Sequence, residues 1–540
     1  MACAVRRHTF PHELRVPTSV LPFAMLRSAD TEIELKLRVP GTHYGALARH
    51  PALFHTGDRP RHPKQRLYAV YYDTPRNELW RAGMALRVRR DGATRTQTLK
   101  GGGSVDAGLH ERVELEVALA AGETPDLGLF AAGTWPDRAR AIIGNEPLRP
   151  VFVTRFARET RLVQRAGAIV EASLDRGYVR AGQAREPICE LELELKAGRP
   201  AVLYEIALEL IASVPLAIES RSKAERGYAL HANADAAPAK GEPIRLVASM
   251  TVGDAVQAIL RAVLAHIQAN EHGLLHGDDA EFVHQMRVAL RRLRSMFSIF
   301  RPVLDRARVE PLASEARALS QALGAARDWD VFMDAVHAPA LRALPRHPGF
   351  RAYGQAFRKR RRLARRRAQR AVASQRYQRL LLQLGTWLHE RPWCDAASPD
   401  VAGILQQPIA AYAADVLEAR YAALRKRGRH VERQSTEELH ALRIAAKKLR
   451  YAAQFFVALY DADTANALIE HLARLQDALG ALYDAASAQT LVDGAPPAAA
   501  SRAVAEARGM LLGWSRGQEP LLRREAERSW RSLRRCATFW

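Results

Sequence analysis

The chain changes its pattern of apolar and polar positions about halfway along. From Thr31 to about Leu230 the two kinds of residue alternate with period two, so each strand offers one polar and one apolar face. The pattern predicts strands at Glu32–Val39, Arg66–Tyr72, Ala85–Arg90, Thr94–Lys100, Glu111–Leu119, Ala168–Leu174 and Ile188–Lys196. Asp91-Gly92 and Gly101-Gly102-Gly103 read as turns between them, and Ala201–Ser213 as a helix. Many strands at short spacing predict a domain closed into a barrel. From about Leu246 onward, apolar residues recur at three and four, the signature of a bundle of long helices. The Ala-rich stretch around Pro238 and Pro243 separates the halves. The expected divisions are a leader at 1–29, or a start at Met25, then a barrel domain at 30–232, a linker at 233–246 and a helical domain at 247–540. The fold class is therefore α+β.

The helical half contains a repeat. His284-Gln285-Met286-Arg287-Val288-Ala289-Leu290-Arg291-Arg292-Leu293-Arg294 matches His440-Ala441-Leu442-Arg443-Ile444-Ala445-Ala446-Lys447-Lys448-Leu449-Arg450. The same offset pairs Leu323-Gly324 with Leu479-Gly480, and Asp328 with Asp484. Two matches at one offset predict two copies of a helical unit.

Composition narrows the partners. The 81 Lys+Arg and 58 Asp+Glu give +23, which favours nucleic acid, a membrane surface or a phosphate polymer without choosing among them. Cys3, Cys189, Cys394 and Cys536 are scattered, which argues for a reducing compartment and hence the cytoplasm. No apolar run is long enough to span a bilayer, and Pro11, Glu13, Arg15 and Pro17 interrupt any secretory signal.

The polar strand faces carry the chemistry. Glu32, Glu34, Lys36 and Arg38 share one face, as do Arg87 and Arg89, then Thr96, Thr98 and Lys100. Arg112, Glu114 and Glu116 share another, and Glu190, Glu192 and Glu194 a further one. A single such strand is ordinarily a solvated face. Repeated ladders of like charge repel one another on a surface, whereas a barrel interior of both signs suits a metal–polyphosphate complex.

Taken with these residues, Tyr71-Tyr72-Asp73-Thr74-Pro75, Leu174-Asp175-Arg176-Gly177, Cys189-Glu190-Leu191-Glu192 and Ser222-Lys223-x-x-Arg226-Gly227-Tyr228 resemble the CYTH domains, or triphosphate tunnel metalloenzymes. The resemblance implies an eight-stranded antiparallel tunnel that transforms triphosphates with Mg2+ or Mn2+. It implies metal ligands at Glu32, Glu34, Asp175, Glu190 and Glu192, with Glu114, Glu116 and Glu194 as further acidic members. Lys36, Arg38, Arg87, Arg89, Lys100, Arg155 and Lys223 are implied to hold phosphate oxygens, with Arg112 beside them. The catalytic set is then Glu32, Glu34, Lys36, Lys100 and Glu114. Tyr71 and Tyr72 read as packing at a strand end, and Asp73-Thr74-Pro75 as a turn. Class IV cyclases of this superfamily carry a His-Phe pair where this chain has Leu26 and Arg27; that departure lowers the cyclase reading.

On helices, His284, Arg287, Arg291 and Arg294 form one cationic stripe, and His440, Arg443, Lys447 and Arg450 a second. A merely solvated face would intersperse acids, and these stripes contain none. They resemble the CHAD domain, which implies polyphosphate binding over about 247–540. The run Arg358–Arg370 is basic all round, and reads equally as more polyphosphate surface, a nucleic-acid contact or a solvated arm. Aromatic residues are sparse near the stripes, against single-stranded nucleic acid. The expected function is an inorganic triphosphatase that cleaves tripolyphosphate to pyrophosphate and phosphate, cytoplasmic and associated with polyphosphate granules. The competing readings are a non-catalytic polyphosphate or granule protein, a nucleic-acid binder, and an enzyme for thiamine or nucleoside triphosphate.

Overall fold

The computed structural model describes residues 31–54, 64–120, 124–233, 236–395, 398–498 and 500–540. The expected leader, with Met25, Leu26 and Arg27, lies outside them. The alternating segments form β1 (Thr31–Arg38), β2 (Gln65–Asp73), β3 (Met84–Asp91), β4 (Thr94–Asp106), β5 (Leu109–Ala118), β6 (Arg149–Arg165), β7 (Ala168–Ala181) and β8 (Ala184–Ala197). They pair antiparallel in the order β5-β4-β3-β2-β6-β7-β8-β1, and β1 pairs again with β5. The eight strands thus close into a ring. A short β9 (Ala217–Ile218) takes over the edge of β1 beyond Leu35, where β5 ends.

Two features depart from the sequence reading. The longest strand, β6, is absent from the expected set. The glycine run is a bulge inside β4 rather than a turn, with the register shifting between Gly101 and Ser104. Gly103 has φ +90°, and a Cβ there would sit 1.8 Å from the carbonyl oxygen of Glu111. Only glycine fits.

The barrel is apolar outside, because its lumen is charged. Leu35, Leu37, Leu174, Leu191 and Leu193 point outward and are fully buried against Val202, Leu203, Ile206 and Leu210 of α1 (Ala201–Leu210). Helix α2 (Lys223–Ala232) starts at a capping box of Ser222 and Glu225 and packs on β6, β7 and β8. Its Tyr228 joins Tyr71, Phe152, Phe156 and Val179 in an apolar plug at one end of the ring.

The same core continues into the helical half, through α3 (Val252–Ala269), α4 (Glu271–His276), α5 (Glu281–Ile299), α6 (Arg306–Phe332), α7 (Pro348–Val372), α8 (Gln375–Glu390), α9 (Thr436–Phe456), α10 (Ala462–Asp493) and α11 (Arg502–Arg535). Polar contacts fasten the halves together. Arg261 of α3 pairs with Asp106 of β4 at 2.6 Å. The Gln375 and Gln378 side chains of α8 accept from the backbone N–H groups of Leu216 (3.0 Å) and Ile218 (2.9 Å). Residues 236–246, expected as a linker, are docked: Ile244 and Leu246 are buried, and Ala239 exchanges two hydrogen bonds with Asn270. No helix among the described residues is long and apolar enough to cross a membrane.

Candidate functional site

Period-two geometry sends the charged ladders of β1, β3, β4, β5, β7 and β8 into the lumen. Lys36 stands between Glu34 (2.5 Å) and Glu192 (2.6 Å), all three nearly sealed from solvent. Lys223 enters from α2 and reaches Asp175 at 2.7 Å, Glu190 at 2.6 Å and Glu192 at 2.8 Å. Toward the other end, Lys100 bridges Glu32 (2.5 Å) and Glu114 (3.1 Å). Arg87 pairs with Glu114 at 3.1 Å, and Arg89 with Glu116 at 3.2 Å. Arg112 meets Glu225 at 3.3 Å.

At Glu192, Lys100, Lys223 and Glu114 an opposite charge outweighs the desolvation. Burial pushes the Glu192 carboxyl up, yet Lys223, Lys36 and Arg158 together hold it well below the usual range. Burial likewise opposes Lys100 and Lys223, and their carboxylates raise both ammoniums above the ordinary lysine value. Glu114 is held down against burial by Lys100 and Arg87. Glu194 behaves otherwise: burial first, then Glu32 and Glu171, lift it to about 7 in spite of Lys196 at 2.6 Å. His110, beside Glu34, is lowered to about 3 by burial, Lys36 and Arg112, and is therefore neutral.

Asp175, Glu190 and Glu192 place one carboxylate oxygen each within 4.8 Å of one another. Lys223 Nζ touches an oxygen of each of the three, so an ammonium stands among them where a metal cation could. A hard, all-oxygen donor set at this spacing fits a divalent cation such as Mg2+ or Mn2+. Glu32 and Glu34 face the same lumen from β1.

Two expected phosphate contacts lie elsewhere. Arg155 is exposed, because β6 points Phe156 and not Arg155 inward. Arg158, on the inward face, donates to Asp175 through Nε (2.7 Å) and Nη2 (2.6 Å), and also to Glu192. Arg38 is exposed at the end of β1, near Glu271 and His276 of α4. The sequence reading missed Arg158, and also gave no role to Arg226, which ties Glu190 (2.9 Å) to Glu186 (2.7 Å). Counting inward parity from Phe156 is the signal that finds Arg158. Asp73 does more than turn the chain. It is fully buried and accepts from the N–H groups of Leu79 and Trp80 and from the Tyr228 hydroxyl at 2.7 Å.

In the helical half the two similar segments fall on α5 and α9, each running into a long helix. Gly324 of α6 lies under Arg287 and Gly480 of α10 under Arg443, where a Cβ would come within 2.8 and 3.2 Å of a guanidinium nitrogen. Arg287, Arg291, Arg443 and Arg450 each carry a buried Nε without a hydrogen-bond partner. Unsatisfied cationic donors converging on one place suit an anion. Of these, Arg291 also lines a cleft of about 680 Å3, together with Arg294, His440, Lys447 and one acid, Glu310. His284 is lowered by burial and by Arg327, so it stands among these guanidiniums as a neutral ring. Part of the Arg358–Arg370 run is structural: Arg361 pairs with Asp330 at 2.6 Å, and Arg365 donates to the carbonyls of Gly277 and Asp278 at the end of α4.

The family model for the CYTH domain matches residues 30–228, and that for the CHAD domain residues 258–493. An inorganic triphosphatase of Haemophilus influenzae is 34% identical over 199 residues, 37% of this chain and 54% of that protein. The chain thus spans about half of that relative. An uncharacterized protein of Mycobacterium tuberculosis is 27% identical over 428 residues, 72% of this chain and 76% of that protein. A crystal structure of the CHAD domain from the plant Ricinus communis is 30% identical, with a TM-score of 0.48, covering 56% of this chain and 99% of that one.

Proposed function

We propose, for a chain that carries a CYTH domain followed by a CHAD domain, that the barrel is a metal-dependent inorganic triphosphatase and the helical cleft a polyphosphate site. The observation that carries the first part is the lumen itself, where Lys36, Lys100 and Lys223 each stand between carboxylates. Without substrate these charges satisfy one another. A triphosphate chain gives Lys36, Lys100, Lys223, Arg87, Arg89 and Arg158 new anionic partners, with Arg112 at the edge. The carboxylates so released, Glu32, Glu34, Asp175, Glu190 and Glu192, are then free to hold Mg2+ or Mn2+. When bound, the divalent ion supplies further charge neutralisation at the phosphates. The cations hold the phosphates in line and neutralise charge that develops on the leaving phosphate oxygens. Enclosure by the ring excludes bulk water and strengthens each of these contacts.

The Haemophilus relative supports inorganic triphosphate as substrate, and the unsatisfied guanidiniums of α5 and α9 support polyphosphate on the helical half. Binding there predicts an association with polyphosphate granules. A panel of tripolyphosphate, thiamine triphosphate and nucleoside triphosphates tests the substrate, with wild type and Glu34→Gln compared in Mg2+ and Mn2+. Tripolyphosphate is expected to give the highest kcat/KM, and Glu34→Gln to abolish it. A higher value for a nucleoside triphosphate reassigns the substrate. For the cleft, polyphosphate is expected to bind more tightly than DNA at fixed salt, and Arg291→Gln/Arg443→Gln to weaken it.

A further inference from the structure

Lys447 is unlike the other cations of the helical cleft. It is half-buried, and among the described residues it makes no hydrogen bond or ion pair. The groups around it are His440, Arg443 and Arg450 on its own helix and Arg287 and Arg291 on α5. The acid that faces it is Asp484 of α10, which also faces Arg443 and Arg327. The next residue, Lys448, lines the same cleft but is exposed.

An ammonium deprived of water and ringed by permanent guanidinium charges sheds its proton readily. Burial first, then Arg443, Arg291, Arg287 and Arg450, lower Lys447 to about 7. A large share of it is therefore a free amine at neutral pH, and a free amine is a nucleophile. Guanidiniums keep their charge throughout, so Arg291 and Arg294 can dock a phosphate beside an uncharged Nζ in a cleft of about 680 Å3.

We propose that Lys447 is a self-acylation site, at which the guanidiniums dock the phosphate of an acyl phosphate and the acyl group passes to Nζ. In this step Nζ attacks the acyl carbon and the N–C bond forms. The C–O bond to phosphate breaks, its electron pair leaves on the phosphate oxygen, and the amine proton goes to the departing phosphate. Nothing is oxidised or reduced. The product amide can no longer take up a proton beside a bound anion and adds bulk to the cleft, so the modification weakens anion binding there. The proposal needs the cleft to accept a phosphoryl group, and does not need polyphosphate as its ligand.

Full-length protein incubated with acetyl phosphate at pH 7.5 tests it, with acetylation at each lysine read by peptide mass spectrometry. A larger free-amine fraction, partly offset by lower intrinsic nucleophilicity, predicts that Lys447 reacts about tenfold faster than exposed Lys359, Lys426 and Lys448. Its rate is expected to level off just above neutral pH, where exposed lysines still accelerate. Excess inorganic phosphate and Arg291→Gln are each expected to slow Lys447 and spare the exposed lysines. Lys447 reacting no faster than its exposed neighbours overturns the proposal. So does a preference for Lys447 that neither phosphate nor Arg291→Gln diminishes, since that shows an activated amine with no docking. Polyphosphate is left out of the reaction, so its failure to bind leaves this measurement standing.

Discussion

Arg158 and Arg155 are three residues apart on one strand, and only the first reaches the lumen. On a strand an odd spacing reverses the face, so a single inward residue fixes the rest. That anchor is Phe156, and nothing in the local sequence marks it as inward, because a barrel with a plugged end buries apolar residues on both faces. Glu32, Glu34 and Lys36 were legible for the opposite reason: their neighbours Ile33, Leu35 and Leu37 are apolar without exception, leaving the charges one direction. The helical half offers a pH prediction at this scale. His266 is buried against Arg292 and Gln285 and lowered to about 4, by burial first. A depressed value means the unfolded chain takes up the proton first, so His266 contributes stability above about pH 6.5 that is lost as pH falls toward 4. The Tm of wild type is expected to fall across that window, and His266→Gln to flatten the fall. An unchanged slope by scanning calorimetry removes His266 from the acid limb.

Among the elements, β4 shows how a local signal misleads. Three successive glycines read as a turn, yet β5 continues alongside them and the strand survives through a bulge. The glycines are there because Trp135 lies over Gly101 and Gly102 and the Glu111 carbonyl abuts Gly103. Such close approach is a tertiary fact, invisible to a turn rule. Gly103→Ala combines a positive φ with a backbone clash and is expected to cost about 3 kcal/mol in urea unfolding. A loss well under 1 kcal/mol contradicts the bulge. The β9 to α2 segment is a second such case. It carries Lys223 into the lumen, and Gln378, an element of the other half, holds its Ile218 N–H. Removing that acceptor with Gln378→Ala is expected to cost about 1–2 kcal/mol and to lower tripolyphosphate kcat several-fold while α8 stays folded. Unchanged kcat with the stability loss present shows that Lys223 is positioned without it.

For the whole molecule, period two followed by spacings of three and four announced a barrel and a helical half. Their shared core was not announced, because residues such as Leu35 and Val256 are ordinary apolar positions in either half taken alone. The ionic lumen has a consequence at this scale. If substrate releases carboxylates to the metal, then metal and triphosphate bind cooperatively and reciprocally. Mn2+ affinity measured by calorimetry is expected to rise about tenfold in the presence of a non-hydrolysable triphosphate analogue. Equal affinity with and without it contradicts partner exchange in the tunnel. The most direct measurement is phosphorus NMR of tripolyphosphate incubated with the full-length protein and Mg2+ or Mn2+, beside Glu192→Gln. The lumen described above predicts pyrophosphate and phosphate in equal amounts, no turnover without divalent metal, and at least about a hundredfold loss in the variant. Intact tripolyphosphate with wild type, or equal turnover by Glu192→Gln, contradicts it.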